Sequence, residues 1–329
     1  MQSESNLIQM KYTHCSIRRK NNPASAGFLI FLLLLCYSFC QIARLKMAGR
    51  KTLRELLSEN ENLILPGILS PIEALLAEKA DFKACYISGA ALSTSLGFLD
   101  EGKITLARIT SLVREIRRAS DMPLLVDCDT GFQSIAKTVK ALEASGASAV
   151  QIEDQVPSEK RCGHLDAKKI IPIDEMEKKI KAAVSARKNQ DFLIVARTDS
   201  RATDGLSEAK WRGYGYKQAG ADIIFPEALE SEDEFRIFGR DVINIPLAAN
   251  MAEGGKSPSD LTAEKLFVLG YQIVLIPVTP LRLTLKYFES ILTEAAQTGS
   301  LKNMIEKNGL ISRNEMIDFI KNNSKVYTK

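Results

Sequence analysis

Eight short apolar runs, each followed by a helix-patterned stretch, constrain this chain more than any other feature. They read LILPGIL (63–69), ACYISG (84–89), PLLVDCD (123–129), AVQIED (149–154), FLIVART (192–198), DIIFPE (222–227), PLAANM (246–251) and QIVLIPV (272–278). Each is nearly continuous in apolar residues and rich in Val, Ile or Leu, the pattern of parallel strands buried on both faces. Between them lie helical patterns such as IEALLAEKA, LARITSLVREIRRAS, SIAKTVKALEASG, DEMEKKIKAAVSARK and SEDEFRIFGRD. Gly146, Gly220 and Gly270 stand where three helices should stop. Eight strands alternating with helices predict an α/β fold, a (β/α)8 TIM barrel. An open doubly wound sheet is the alternative, but no Gly-rich nucleotide fingerprint follows the first run. After the eighth run, PLRLTLKYFESILTEAAQTG reads as a long helix, and charged helical residues from about 300 follow it. Lone Trp211 sits in a helical pattern and reads as packing.

Residues 47–329 therefore read as one barrel domain with extra C-terminal helices, and residues 1–46 as an extension. The extension contains GFLIFLLLLCYSFCQIA (27–43) behind Arg18-Arg19-Lys20. Such a run resembles a signal peptide or a short anchor, although a spanning helix usually needs about 20 apolar residues. A third reading is translated upstream sequence ahead of a start at Met47, which the cytosolic look of MAGRKTLRELLSE favours. A cytoplasmic location follows from that reading, with membrane contact only if 27–43 is real in the mature protein. The extension carries six basic side chains against Glu4, so the formal charge of +4 leaves the body at about −1. A near-neutral body gives no electrostatic reason to expect nucleic acid. Cys85, Cys128 and Cys162 in the body show no metal-type pairing and no disulfide framework, which suits a reducing compartment.

In a barrel, chemistry collects at the C-terminal ends of strands. Here those ends are polar: Asp127 and Asp129, Glu153, Arg197, Glu227 and Asn250. Residues two apart on a strand share a face. Two adjacent carboxylates repel unless a cation or a proton lies between them. Oxygen donors without a nearby histidine suit Mg²⁺, or Mn²⁺, rather than zinc, with Glu153 the natural third acid. A D-x-D that merely caps a loop is the bland alternative. Arg197 leaves an otherwise apolar strand and would meet a carboxylate or phosphate, or pair with Asp199 or Glu227. The loop after the fourth strand reads EKRCGHL (159–165). Lys160 and Arg161 would lower the pKa of the Cys162 thiol and attract an anion. Gly163 permits close backbone approach. His164 alone is as readily a structural hydrogen-bonder. A thiol can transfer a proton or act as a nucleophile.

The assembled stretches YISG (86–89), LVDCDTGF (125–132), QIEDQ (151–155), KRCGH (160–164), VARTD (195–199), FPEA (225–228) and ANM (249–251) resemble the isocitrate lyase/phosphoenolpyruvate mutase superfamily, most of all its 2-methylisocitrate lyase branch. The resemblance runs from about Met47 to the C-terminus. It implies a Mg²⁺-dependent retro-aldol cleavage of a carboxylate substrate, as in propionate catabolism, and a homotetramer with its last helices exchanged. It implies that Asp127, Asp129, Asp100 and Glu153 surround the metal. Ser88, Gly89, Arg197 and Asn250 would hold the oxo-acid end, with Glu227 among the substrate-binding residues. Cys162 would protonate the carbanion. Lys160, Arg161, Gly163 and His164 would set its surroundings and bind the other fragment. Tyr86 is the candidate for the hydroxyl proton, and Arg282 could reach a further carboxylate. Departures at Ala90-Ala91, Leu165 and Ala252-Glu253-Gly254-Gly255 leave the substrate open among 2-methylisocitrate, isocitrate, 2,3-dimethylmalate and oxaloacetate. A phosphoenolpyruvate mutase is disfavoured by the cysteine motif. A membrane-tethered, metabolite-binding barrel is the alternative from another class.

Overall fold

The computed structural model describes residues 51–163, 167–242, 244–251, 253–258 and 260–328. The extension, with its segment 27–43 and Met47, lies outside the described residues, as do His164, Leu165 and Ala252. All eight apolar runs form strands: β1 Leu63–Pro66, β2 Cys85–Ile87, β3 Leu124–Asp127, β4 Ala149–Glu153, β5 Leu193–Thr198, β6 Ile223–Pro226, β7 Ala248–Asn250 and β8 Ile273–Ile276. β2 to β6 form a five-stranded parallel sheet in sequence order, and β1, β8 and β7 a three-stranded one. A parallel bridge from Gly67 to Tyr86 joins β1 to β2, and one from Ile224 to Leu247 joins β6 to β7. The strands thus follow one another around a ring, the order that successive βα units produce.

Alternation along each strand sorts the core into two layers. Leu63, Leu65, Leu125, Ala149, Leu193, Val195, Ile223, Phe225, Ala248, Ile273 and Leu275 belong to one buried cluster. The strand residues between them, among them Ile87, Val126, Ile152, Ala196, Ile224 and Val274, pack instead with helix residues such as Leu112, Ile116, Val139, Ile180 and Tyr216. Each buried Leu, Ile or Val contributes about 1.5–3 kcal/mol, and a one-residue slip would exchange the two faces, so register is firmly set. Leu53, Leu56 and Leu57 of the helix Leu53–Ser58 join the inner cluster. Thr52 and Glu55 form a capping box at its start. Arg54 ties this helix to the Gln190 carbonyl and to Asp222, just ahead of β5 and β6, so it closes the N-terminal end of the barrel.

Gly146, Gly220 and Gly270 all take positive φ, as helix stops should. Trp211, on the helix Leu206–Gln218, is 65 % exposed and faces away from the core, contrary to the packing role its pattern suggested. The long helix Thr279–Thr298 buries no residue, and Leu283, Phe288 and Leu292 on it are more than half exposed. Among the described residues no helix is long and apolar enough to cross a membrane.

Candidate active site

Following the inner-face positions upward leads into the site. Leu125 is succeeded by Asp127, Ala149 by Gln151 and Glu153, Val195 by Arg197, Phe225 by Glu227, and Ala248 by Asn250. Alternation that fills the barrel with apolar side chains thus ends in a ring of polar ones at the strands' C-terminal ends. Tyr86, Ser88, Asp100, Asp127, Lys160, Cys162, Gly163, Arg197, Glu227 and Asn250 line one inner cavity of about 50 Å³. A wider opening of about 710 Å³ lies outside it, between residues 99–103 and 158–162. Asp100, Lys160 and Cys162 border both.

The two aspartates meet for a reason that strand alternation did not anticipate. Asp127 ends β3, whereas Asp129 lies past the strand with φ 50, in the left-handed region. A Cβ built on Gly89 would sit 3.1 Å from Asp127 Oδ2 and 3.1 Å from Asp129 Oδ1, so the carboxylates flank one small space that glycine leaves open. Asp127 accepts from the Gly89 amide, the Asp129 amide and Gln151 Nε2, each at 3.1 Å. Tyr86 donates to Gln151 Oε1 at 2.8 Å. Burial, then the charge of Asp129, pushes the Asp127 carboxyl up to about 6, against the pull of Lys160 and Arg197. Burial and the Asp127 charge hold Tyr86 well above the usual phenol range, so it stays neutral.

Lys160 lies inward rather than along the thiol. Its ammonium pairs with Asp129 Oδ1 at 2.8 Å and with Asp100. Burial works against its charge, but Glu153, Asp129, Asp100 and Asp127 outweigh that and hold it protonated. The Arg197 guanidinium grips Asp199 through two parallel bonds of 2.9 and 2.8 Å. Its remaining nitrogen lies 3.5 Å from Glu153 and 3.6 Å from Glu227. Asn250 Nδ2 donates to Glu227 at 3.2 Å. Ser88 Oγ caps the helix Gly89–Ser95 by accepting from the Ala91 amide at 3.3 Å. Gly163 is required where it stands, because a Cβ there would lie 2.3 Å from Arg197 Nη2 and 2.9 Å from Glu227. Arg161 is exposed beside Cys162 at the outer opening. Arg282 does not join the site: it is exposed and bonds the Glu253 carbonyl at 2.6 Å. Three further residues that the strand-end reading does not single out hold the site together. Gln151 holds Asp127. Gln155 clamps the Arg161 backbone through both its amide and its carbonyl, each at 2.9 Å. Lys168 joins Asp199 to the Gly163 carbonyl.

Six acids, Asp100, Asp127, Asp129, Glu153, Asp199 and Glu227, thus face three cations, Lys160, Lys168 and Arg197. Burial pushes Glu153 well above the usual carboxylate range, and a cation placed among these acids would favour their ionised forms. Among the described residues no three His, Cys, Asp or Glu side chains enclose a metal by themselves. Mg²⁺ needs no such cage, because it keeps several waters and takes one or two carboxylates. The space shared by Asp127 and Asp129 fits that demand, and buried Glu153 Oε1 has no hydrogen-bond partner among the described residues.

Residues 53–296 match the family described as phosphoenolpyruvate phosphomutase. The chain is 46 % identical over 271 residues to 2-methylisocitrate lyase of Aeropyrum pernix, covering 82 % of this chain and 86 % of that one. It is 42 % identical over 284 residues to 2-methylisocitrate lyase of Bacillus subtilis, covering 85 % and 91 %. Among solved structures, 2,3-dimethylmalate lyase aligns with a TM-score of 0.74 at 30 % identity, covering 81 % of this chain and 89 % of that one. A phosphonopyruvate hydrolase in complex with oxalate and Mg²⁺ aligns with a TM-score of 0.72 at 27 % identity, covering 81 % and 93 %.

Proposed function

We propose that this chain, which belongs to the phosphoenolpyruvate phosphomutase family, is a carbon–carbon lyase that cleaves 2-methylisocitrate to pyruvate and succinate. The observation that carries the reading is the place of Cys162, on the border between the inner cavity and the outer opening. The inner cavity, with Arg197, Asn250 and Ser88, takes the part of the substrate that leaves as the 2-oxo acid. The outer opening, with Arg161, takes the dicarboxylate fragment. The substrate hydroxyl loses its proton, its oxygen forms the new carbonyl, and the adjacent C–C bond breaks. The electron pair stays on the carbon of the outer fragment. Cys162 donates its S–H proton to that carbon, and the hydroxyl proton restores the thiol, so the reaction is balanced without a redox partner. Tyr86 remains the candidate for handling the hydroxyl proton, since it lines the inner cavity.

Asp127 and Asp129, with Asp100 and Glu153 beside them, would hold Mg²⁺, or Mn²⁺, whose charge offsets the negative charge growing on the oxo acid. Arg197 supplies a fixed positive charge to the same fragment, oriented by Asp199. Lys160 holds Asp100 and Asp129 together and keeps positive charge between the acids and the thiol-bearing loop. A homotetramer, in which a neighbouring copy covers the apolar face of Thr279–Thr298, fits the exposure of that helix. A cytoplasmic enzyme of propionate catabolism is the matching physiological setting. The Glu253-Gly254-Gly255 stretch and the solved dimethylmalate lyase favour 2,3-dimethylmalate as the second substrate to try.

The test is pyruvate or glyoxylate release with Mg²⁺ from 2-methylisocitrate, isocitrate and 2,3-dimethylmalate, and oxalate release from oxaloacetate, on wild type and Cys162→Ser. Wild type should favour 2-methylisocitrate, and the variant should lose about 10²-fold or more in kcat while still binding substrate. Undiminished turnover by Cys162→Ser removes the thiol from the mechanism.

A further inference from the structure

Lys168 is a buried cation outside the cavity lining, and the reaction as written does not use it. Its side chain and that of Asp199 are both fully shielded from solvent. Burying an ammonium is costly unless it is paired and hydrogen-bonded. Here Nζ donates to Asp199 Oδ1 at 2.6 Å and to the Gly163 carbonyl at 2.6 Å. The first bond answers the charge. The second reaches the backbone of the residue that follows Cys162.

Asp199 is itself a fixed post. Its amide donates to Asp154 Oδ1 at 2.9 Å. Asp154 Oδ2 is held by Thr198 Oγ1 and Tyr216 Oη, both at 2.7 Å, and by Arg212 at 3.2 Å. The carboxylate of Asp199 carries Arg197 on one side and Lys168 on the other. On the far side of the cysteine, Gln155 holds the Arg161 amide and carbonyl. Cys162 therefore sits between two backbone clamps, one on residue 161 and one on residue 163. Only the second is tied to the arginine of the inner cavity.

We infer that Lys168 is a positioning residue that sets the Cys162 thiol relative to Arg197 by holding the Gly163 carbonyl and the Asp199 carboxylate at once. The inference rests on the reading of Cys162 as proton donor. Displacing a reacting group by about 1 Å costs on the order of 10² in rate. Lys168→Met should therefore lose about 10²-fold in kcat with KM within about fivefold.

The decisive test is a double-mutant cycle on the full chain with Mg²⁺. If Lys168 acts through the thiol, Cys162→Ser with Lys168→Met loses no more than about threefold beyond Cys162→Ser alone. Losses that multiply to about 10⁴ overturn the inference, as does Lys168→Met with wild-type kcat. A second readout separates this from failure of the catalytic reading. The rate of Cys162 carboxamidomethylation by iodoacetamide, followed by mass spectrometry, should change at least fivefold in Lys168→Met even if Cys162→Ser keeps full turnover. An unchanged rate overturns the inference whatever the kinetics show. If Lys168→Met does not fold, Lys168→Arg, which keeps the charge, goes through the same cycle with the same expected non-additivity. If neither folds, Lys168 serves stability alone and the inference falls.

Discussion

Gly163→Ala puts the packing between the cysteine loop and Arg197 to a direct test. The added methyl would lie 2.3 Å from Arg197 Nη2 and 2.9 Å from Glu227, where ordinary contacts begin near 3.5 Å. Something must move by about 1 Å. Arg197 cannot swing aside freely, because both bonds to Asp199 and its proximity to Glu153 and Glu227 fix the guanidinium plane. The overlap should cost about 1–3 kcal/mol of stability, as over-packing does elsewhere. Roughly 2–4 °C of melting temperature is expected per kcal/mol in a domain of this size. The same 1 Å error between thiol and arginine should lower kcat about 10²-fold. Pyruvate release coupled to lactate dehydrogenase gives kcat, and differential scanning fluorimetry gives Tm. Gly97→Ala is the control: φ is +76 there but open space surrounds the site, so about 1–2 kcal/mol is lost with kcat unchanged. Gly163→Ala turning over within threefold of wild type at unchanged Tm would refute the packing and the catalytic geometry built on it.

Other expectations concern the acids, the loop and the surface. Asp127 titrates near 6 in the fold against 3.8 for the ordinary group, so its contribution to stability is fully present below about pH 4 and lost as pH rises through 6, by about 3 kcal/mol. Mg²⁺ should reverse that loss, raising Tm more at pH 8 than at pH 5, and equal shifts at both would count against metal at Asp127. Gln155→Ala should release the Arg161 backbone, speeding iodoacetamide labelling of Cys162 severalfold and lowering kcat about tenfold; identical labelling would show that Gln155 does not hold the loop. Light scattering should give a tetramer that falls apart in Phe288→Glu with Leu292→Glu, whereas a monomeric wild type would dispose of the covered helix face.

The strands were legible because parallel strands covered on both faces leave a local signature, and all eight runs carry it. The acids at their ends were legible by position, since alternation fixes which residue tops each strand. What stayed hidden depends on pairs far apart in sequence. Lys168 looks like one more lysine in AKKII until Asp199, on another βα unit, buries it. Gln151 could have been found by counting two back from Glu153 along β4, which puts it on the inner face. Its partners Tyr86 and Asp127 sit on β2 and β3. Strand periodicity predicts Asp129 beside Asp127, whereas a left-handed backbone turn beyond the strand brings them together. Trp211 shows the reverse limit: a large apolar residue in a helical pattern is read as core, and nothing local says which face meets solvent.

The ring of strands is not uniformly stitched. Between β6 and β7 the backbone is joined by the bridge from Ile224 to Leu247, low on the wall, while the upper rim is spanned by Asn250 reaching to Glu227. The mouth of the inner chamber is therefore a jaw whose hinge is peptide and whose clasp is a side-chain amide. An oxo acid bound by Asn250 as proposed would compete with Glu227 for the same amide, so occupancy of the chamber would bear on how β6 and β7 are held together at the rim.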